Sequence, residues 1–293
     1  MKILLFGAGG LVGKELVALY ARTANEVSRP TSAEVDITKF EQVRDFVNEH
    51  KPELIINCAA LTDVDKCELE EDTAYKINAL GPKHIALAAR EQHAKVIHLS
   101  TDYVFDGEKG EPYNEFDATQ PINIYGKSKL DGEEFIKEVT DDFMIIRTAW
   151  VFGKGRGNFV DYVVDGVLKQ KEITAIKDMV SSPTYAEDLA VQIKKMAETR
   201  ETGIFHMANK GYGTRLEIVE EIMSLIGKPA NVKVITQRQW EKPAKRPAFS
   251  ALNNYHLTVL GKNEMPEWKE ALKRYLKAKY NTKFQVPGSK FQD

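Results

Sequence analysis

Short apolar runs alternate along the chain with segments in which apolar positions recur every three or four residues. The first run, residues 2–6, leads through a glycine cluster into an apolar-striped stretch at 14–21. Further runs at 54–57, 96–100 and 144–149 predict strands, and helical spacing recurs at 38–48, 72–92 and 127–139. Such alternation predicts α/β architecture with a doubly wound parallel sheet. Thr38-x-x-Glu41 has the form of a capping box, and Pro52 after His50-Lys51 fits a helix stop. Beyond residue 150 the pattern becomes mixed, with helices expected at 158–169, 185–198 and 216–226 and strands at 173–176 and 232–235. This predicts a smaller mixed α/β C-terminal lobe. The expected division is 1–150 for the sheet domain, 151–283 for a substrate lobe from which part of the chain can return to the sheet, and 284–293 for a loosely attached tail.

The chain has 293 residues, enough for a sizeable core, and its formal net charge of −2 with interleaved Lys and Glu argues against nucleic acid as a partner. No apolar stretch reaches the roughly 18 residues of a membrane span, and Met1-Lys2 enters a strand at once. No membrane partner and a cytoplasmic location are therefore expected. The two cysteines, Cys58 and Cys67, are too few for a metal framework, so no metal is expected. Cys58 reads as a small buried residue of a fourth strand, and a Cys58–Cys67 disulfide is disfavoured in a reducing compartment.

Three local patterns carry chemistry. In Gly7-Ala-Gly-Gly10-Leu11-Val12-Gly13 a strand runs into a glycine turn and a helix. Gly7 allows the turn, Gly10 lets a pyrophosphate approach the backbone, and Gly13 permits close helix-to-strand packing, as in Rossmann-type dinucleotide sites. The Gly-x-x-Gly-x-x-Gly spacing departs from Gly-x-Gly-x-x-Gly at its first step. A second apolar run ends in Ser100-Thr101, which places hydroxyls where ligands of open α/β sheets gather. Tyr125 and Lys129, four residues apart, share a helix face. A phenol with an unperturbed pKa of about 10 becomes a usable proton donor when an ammonium beside it stabilises phenolate. Each pattern alone also fits a plain turn, a cap or a solvated helix face; together they make the strand-end Ser-Thr pair a candidate for a catalytic hydroxyl.

These motifs, with Val35-Asp36-Ile37-Thr38, Asn57-Cys-Ala59-Ala60-Leu-Thr62-Asp-Val64-Asp65, Ser100-Thr101-Asp-Tyr103-Val-Phe and Arg147-Thr-Ala-Trp150-Val-Phe, resemble the extended short-chain dehydrogenase/reductase family, in the branch that reduces 4-keto sugar nucleotides. The resemblance implies hydride delivery from NADPH, with NADH as the alternative, to the C4 ketone of a nucleotide-linked deoxysugar. It gives Tyr125 as proton donor, Lys129 as its neighbouring charge and ribose ligand, and Thr101 as the hydrogen-bond donor to the carbonyl oxygen. Cofactor contacts fall on Gly7, Gly10, Leu11, Val12, Gly13, Asp36, Ile37, Ala59 and Ala60, together with Tyr125 and Lys129. The sugar is expected among Thr62, Val64, Thr101, Tyr103 and Trp150, and Asn78 supports the site from a helix.

After the second strand, Arg29 suits a 2′-phosphate, whereas Glu26 comes too early to hold a ribose 2′-hydroxyl. The loop from Gly153 through Arg156 to Phe159 suits phosphate or substrate backbone, or serves as a hinge, and the segment from Lys242 to Ser250 resembles the family's substrate-side Arg-Pro…Ser stretch. Asp65-Lys66 reads as a surface ion pair. Two other functions remain open on the same fold. A dehydratase or 4-epimerase is one, although dehydratases carry Asp-Glu after the strand-end Thr and here Asp102 is followed by Tyr103. A non-enzymatic regulatory subunit, like that of methionine adenosyltransferase, is the other. A homodimer is compatible with the resemblance.

Overall fold

The computed structural model describes residues 1–155 and 157–280. In its first half the elements are β1 (Lys2–Phe6), α1 (Leu11–Tyr20), β2 (Glu26–Ser28), α2 (Phe40–His50), β3 (Leu54–Asn57), α3 (Val64–Leu69), α4 (Glu71–Tyr75), a π-helical turn at Lys76–Leu80, α5 (Gly81–Glu91), β4 (Lys95–Thr101), α6 (Ile124–Val139) and β5 (Phe143–Thr148). The second half adds β6 (Val151–Phe152), α7 (Phe159–Lys169), β7 (Ile173–Ile176), β8 (Val180–Ser181), β9 (Thr184–Tyr185), α8 (Ala186–Ala197), β10 (Gly203–His206), β11 (Gly213–Thr214), α9 (Arg215–Ile226), β12 (Val232–Ile235), α10 (Tyr255–Val259) and α11 (Trp268–Tyr280).

Six parallel strands form the main sheet in the order β10-β5-β4-β3-β1-β2. From β1 the chain goes outward to β2 and then back across to β3, so the winding reverses between β1 and β3. Ligands of open α/β sheets bind at such a reversal, beyond the carboxyl ends of the strands. Register aligns those ends: Phe6 pairs with Asn57, and Thr101 with Thr148. Because both faces of the sheet are covered, β3 reads Leu-Ile-Ile-Asn with every residue buried. One face packs Leu16 and Tyr20 of α1 against Leu189 and Ile193 of α8, and the other packs Val43 and Val47 of α2 against Ile85 and Ala89 of α5. Each fully buried Leu or Ile in these layers contributes roughly 1.5–3 kcal/mol.

The second half forms its own core around Phe152, Val163, Tyr185, Val219 and Tyr275, while β10 runs beside β5 in the main sheet. Among the described residues no helix is long and apolar enough to cross a membrane.

Several local expectations are corrected. Thr38 does not cap α2. Its hydroxyl and its amide both donate to the Asp36 carboxylate, and Lys39, in extended conformation, takes the N-cap position without a side-chain bond. The competing Asx-type turn at Asp36 wins because it satisfies two donors at once. The helical stretch expected at 72–92 is interrupted by the π-helical turn at Lys76–Leu80. Cys58 lies just after β3, the third strand in chain order, and is only half-buried; both cysteines are free thiols. Arg156 and the tail 284–293 lie outside the described residues.

Candidate active site

The phosphate-binding turn is built by steric demand. Gly7 has φ 77°, and a Cβ there would lie 2.5 Å from both the Ala59 nitrogen and the Cys58 carbonyl carbon, because the exit of β3 passes directly over it. A Cβ on Gly13 would sit 2.3 Å from the Gly7 oxygen, so α1 approaches β1 only with glycine there. Gly10 is the N-cap of α1 and supplies no side-chain cap, which leaves the first N–H groups of the helix directed at the turn. Beside this turn a cleft is lined by Phe6, Gly10, Arg29, Ser32, Ile37 and Ala59. Arg29 is exposed at its rim. Ile37 lines the cleft, whereas the Asp36 carboxylate accepts hydrogen bonds from Thr38 within its own turn.

A second cleft of about 450 Å³ begins at Gly10, Leu11, Val12 and Gly13 and runs along the strand ends. Its walls bring together Ala60, Thr62, Val64, Thr101, Tyr103, Tyr125, Lys129 and Trp150. Thr101 ends β4, and its hydroxyl donates to Asp102 at 3.1 Å and accepts the Tyr103 amide at 3.2 Å. Tyr125 opens α6, whose N-cap Asn123 accepts from the Gly126 amide at 2.8 Å and donates to the Lys245 carbonyl at 2.8 Å. A Cβ on Gly126 would fall 2.0 Å from the Tyr103 oxygen; this glycine brings α6 hard against the end of β4. The Tyr125 and Tyr103 rings meet edge-on at 5.8 Å.

Lys129 is 1 % exposed, and its Nζ donates to the Leu99 carbonyl at 2.6 Å and lies 3.1 Å from Nε2 of the fully buried His98. Burial brings its ammonium down to about 8, with the charge of Glu133 opposing. Burial also pushes the Tyr125 hydroxyl above its ordinary range, against a hydrogen bond with Thr101. The expected depression of Tyr125 by Lys129 is therefore not seen: the amine is engaged by β4, through Leu99 and His98. One turn further along α6, the buried Glu133 accepts from Ser100 and pairs with Arg147 at 2.7 Å.

Loops from the second half close the site from above. Asp102 is fully buried beneath Ser181 and Ser250, which donate to it at 3.0 and 2.5 Å, and burial lifts its carboxyl to about 6 against these hydrogen bonds. Asp65 does not pair with Lys66. It pairs with Arg246 at 2.6 Å, while Lys66 reaches Glu70 at 3.8 Å, so the 242–250 segment is clamped to α3 and to the end of β4. Asn78 holds the loop after β3 by accepting from the Leu61 amide and donating to the Leu61 carbonyl, and it also donates to Ser128 on α6.

Trp150 adopts φ 38°, a strained left-handed conformation for a bulky residue, and thereby faces its ring to the cleft. The guanidinium of Arg215, the first residue of α9, lies 4.6 Å from that ring and 4.5 Å from the ring of Phe159. Arg215 Nε is buried and has no hydrogen-bond partner among the described residues. Beyond Arg215 the cleft continues into a pocket lined by Gly157, Asn158, Phe159, Pro183 and Ile218. Sequence reasoning missed Arg215 because its two aromatic partners lie far away in the chain. His98 was missed as well, a lone His inside the apolar run 96–100 being its local signal, and Asn57, which heads the Asn57-to-Asp65 motif, was given no role of its own.

A family model described as "RmlD substrate binding domain" matches residues 1–281. The chain belongs to this RmlD family. Within it, a dTDP-4-dehydrorhamnose reductase from Streptomyces griseus is 36 % identical over 276 residues, covering 92 % of this chain and 91 % of that protein. The spore coat polysaccharide biosynthesis protein SpsK of Bacillus subtilis is 37 % identical over 275 residues, covering 94 % of this chain and 96 % of its own length. The crystal structure of a dTDP-4-dehydrorhamnose reductase from Bacillus anthracis in complex with NADP superposes with a TM-score of 0.91 at 37 % identity, covering 94 % of this chain and 98 % of that one. A UDP-glucose 4-epimerase from Thermus thermophilus, 19 % identical with a TM-score of 0.81, shares the fold.

Proposed function

We propose that the protein reduces the C4 ketone of a nucleotide-linked deoxysugar, converting dTDP-4-dehydrorhamnose to dTDP-rhamnose with NADPH. The observation that carries this reading is the convergence of Thr101, Tyr125 and Lys129 on one cleft that opens directly from the Gly7–Gly13 turn. That turn, the uncapped start of α1 and Arg29 fit a dinucleotide with a 2′-phosphate: backbone N–H groups meet the pyrophosphate, and a guanidinium stands where the extra charge falls. When bound, NADPH supplies the hydride.

The chain's own residues do the rest. Thr101 turns the hydroxyl proton it gives to Asp102 towards the ketone oxygen, and that hydrogen bond strengthens as negative charge develops there. Tyr125 gives its hydroxyl proton to the alkoxide, and Lys129, one turn along α6, returns a proton to Tyr125 and holds the nicotinamide ribose. Residues 1–150 form the cofactor domain and 151–283 mainly the substrate lobe, with β10 serving the sheet. Thr62, Val64, Tyr103 and Trp150 border the sugar. Arg215, a half-buried cation between two rings with its buried Nε donor left free, meets the substrate diphosphate and places the base in the pocket beyond. Two free thiols suit the reducing cytoplasm.

The test is NADPH oxidation by the purified protein with dTDP-4-dehydrorhamnose. Turnover to a 4-hydroxy product supports the reading. Product formation without cofactor consumption would indicate an epimerase or dehydratase, and no turnover despite NADPH binding would indicate a binding subunit.

A further inference from the structure

Behind Lys129 runs a chain of hydrogen bonds whose polarity is fixed from one end. The Ala59 backbone N–H donates to Asn57 Oδ1 at 3.0 Å. This contact orients the Asn57 amide, so its Nδ2, which must donate, is the atom 3.1 Å from His98 Nδ1. Nδ1 is therefore the acceptor nitrogen of the ring. His98 is fully buried, and burial, followed by the charge of Lys129, holds it well below the ordinary imidazole range, so the ring is neutral and carries one proton. That proton sits on Nε2. Nε2 in turn lies 3.1 Å from Lys129 Nζ, and an N–H at that distance needs a lone pair to receive it.

An ammonium has no lone pair; a neutral amine has one. With an ammonium at Lys129, either two donors face each other across His98, or the imidazole changes tautomer and Asn57 flips. The flip would leave the Ala59 N–H facing an NH₂ group. Only the neutral amine satisfies every group, accepting from His98 and donating to the Leu99 carbonyl.

We propose that Asn57 and His98 are positioning residues for Lys129: anchored on the Ala59 amide, they present an N–H to its amine and shift its proton equilibrium towards the neutral form. This rests on the role given above to Lys129. The other groups facing the amine are Glu133 and Tyr125 on α6, Cys58 after β3 and Cys67 on α3. Of these, Glu133 favours the ammonium, but its carboxylate is already paired with Arg147. Burial of Lys129 acts in the same direction as the His98 N–H. The functional consequence concerns proton supply. Each reduction consumes one proton through Tyr125, and a Lys129 amine that has lost its own proton must take one from water before it can return it. Turnover thus falls as pH rises through the titration of Lys129.

Asn57→Asp is the informative substitution. A carboxylate still accepts the Ala59 N–H, but it also accepts from His98 Nδ1–H; Nε2 then becomes an acceptor, and the ammonium is favoured. The alkaline limb of the kcat/KM profile for the sugar nucleotide is expected to move up by at least about one pH unit, a tenfold change in the proton equilibrium. A purely structural role would lower activity equally at every pH, and an unmoved limb overturns the proposal. A second measurement needs neither turnover nor a variant. In ¹⁵N-histidine-labelled protein, which contains six histidines, the His98 ring is expected, without added cofactor and at a pH above the Lys129 titration at about 8, to show a protonated Nε2 and a bare Nδ1. A protonated Nδ1 overturns the proposal even if the enzyme is active, whereas absence of reductase activity with the expected tautomer would fault the assigned reaction and not the relay.

Discussion

Arg215 offers the sharpest test of how this cleft holds its substrate. Its guanidinium lies between Trp150 and Phe159 at 4.6 and 4.5 Å, each a cation–π contact contributing about 0.5–2 kcal/mol. Against this stands the desolvation of a half-buried guanidinium whose Nε is shut off from water, and burial accordingly lowers the Arg215 pKa from its ordinary value. In Arg215→Met an unbranched apolar chain takes the slot between the two rings, so the lost cation–π terms and the relieved desolvation offset each other, and stability changes by no more than about 1 kcal/mol. Substrate binding has no such offset. One charge-assisted hydrogen bond to a diphosphate contributes roughly 1.5–3 kcal/mol, which corresponds to about a 10- to 150-fold rise in KM for the nucleotide sugar. The KM for NADPH should stay within about twofold. Steady-state kinetics with each substrate varied, together with thermal melting, provide the assay. An unchanged sugar-nucleotide KM, or a rise shared equally by NADPH, would refute the placement of the diphosphate at Arg215.

Three further outcomes follow from the geometry. Arg29→Ala should raise the KM for NADPH about 10- to 100-fold at most, less where solvent screens the contact, while NADH kinetics stay nearly unchanged; equal use of both cofactors by the unmodified protein would remove the 2′-phosphate role. Gly13→Ala places a methyl 2.3 Å from the Gly7 oxygen, so α1 must shift, and NADPH binding measured by fluorescence titration should weaken at least about tenfold; wild-type affinity would mean the turn does not hold the cofactor. Because Lys129 must be an ammonium to return a proton and burial brings it to about 8, kcat/KM should fall as pH rises through that value, and Lys129→Met should move the remaining activity's alkaline limb upward; an identical limb in both proteins would exclude Lys129 as its origin.

What was legible in the sequence is what neighbouring residues decide. The strand runs at 54–57 and 173–176 coincide with β3 and β7, because an apolar run bounded by polar residues specifies a buried strand without outside help. The spacing of Gly7, Gly10 and Gly13 and of Tyr125 and Lys129 is likewise local, fixed by one turn and by one helical repeat. At Thr38 two local motifs competed, and the hydrogen bonds to Asp36 prevailed over the cap. Contacts between distant segments left no such mark. Arg215 meets Trp150 and Phe159, Asp65 meets Arg246, and Asp102 collects Ser181 and Ser250, each across far more chain than a pattern of spacings can reach. Lys129 shows the same limit: its position was readable, but its partner is His98 on β4 and not the tyrosine one turn away.

The central claim is that Tyr125 protonates the alkoxide formed when a 4-keto sugar nucleotide is reduced. It is tested most directly by single-turnover reduction of dTDP-4-dehydrorhamnose by NADPH, comparing the unmodified protein with Tyr125→Phe and measuring NADPH affinity of both by titration. Removing one hydroxyl from an otherwise intact ring should slow the chemical step by a factor of ~10² to 10⁴ and leave NADPH binding nearly unchanged. Near-normal reduction by Tyr125→Phe would contradict the account.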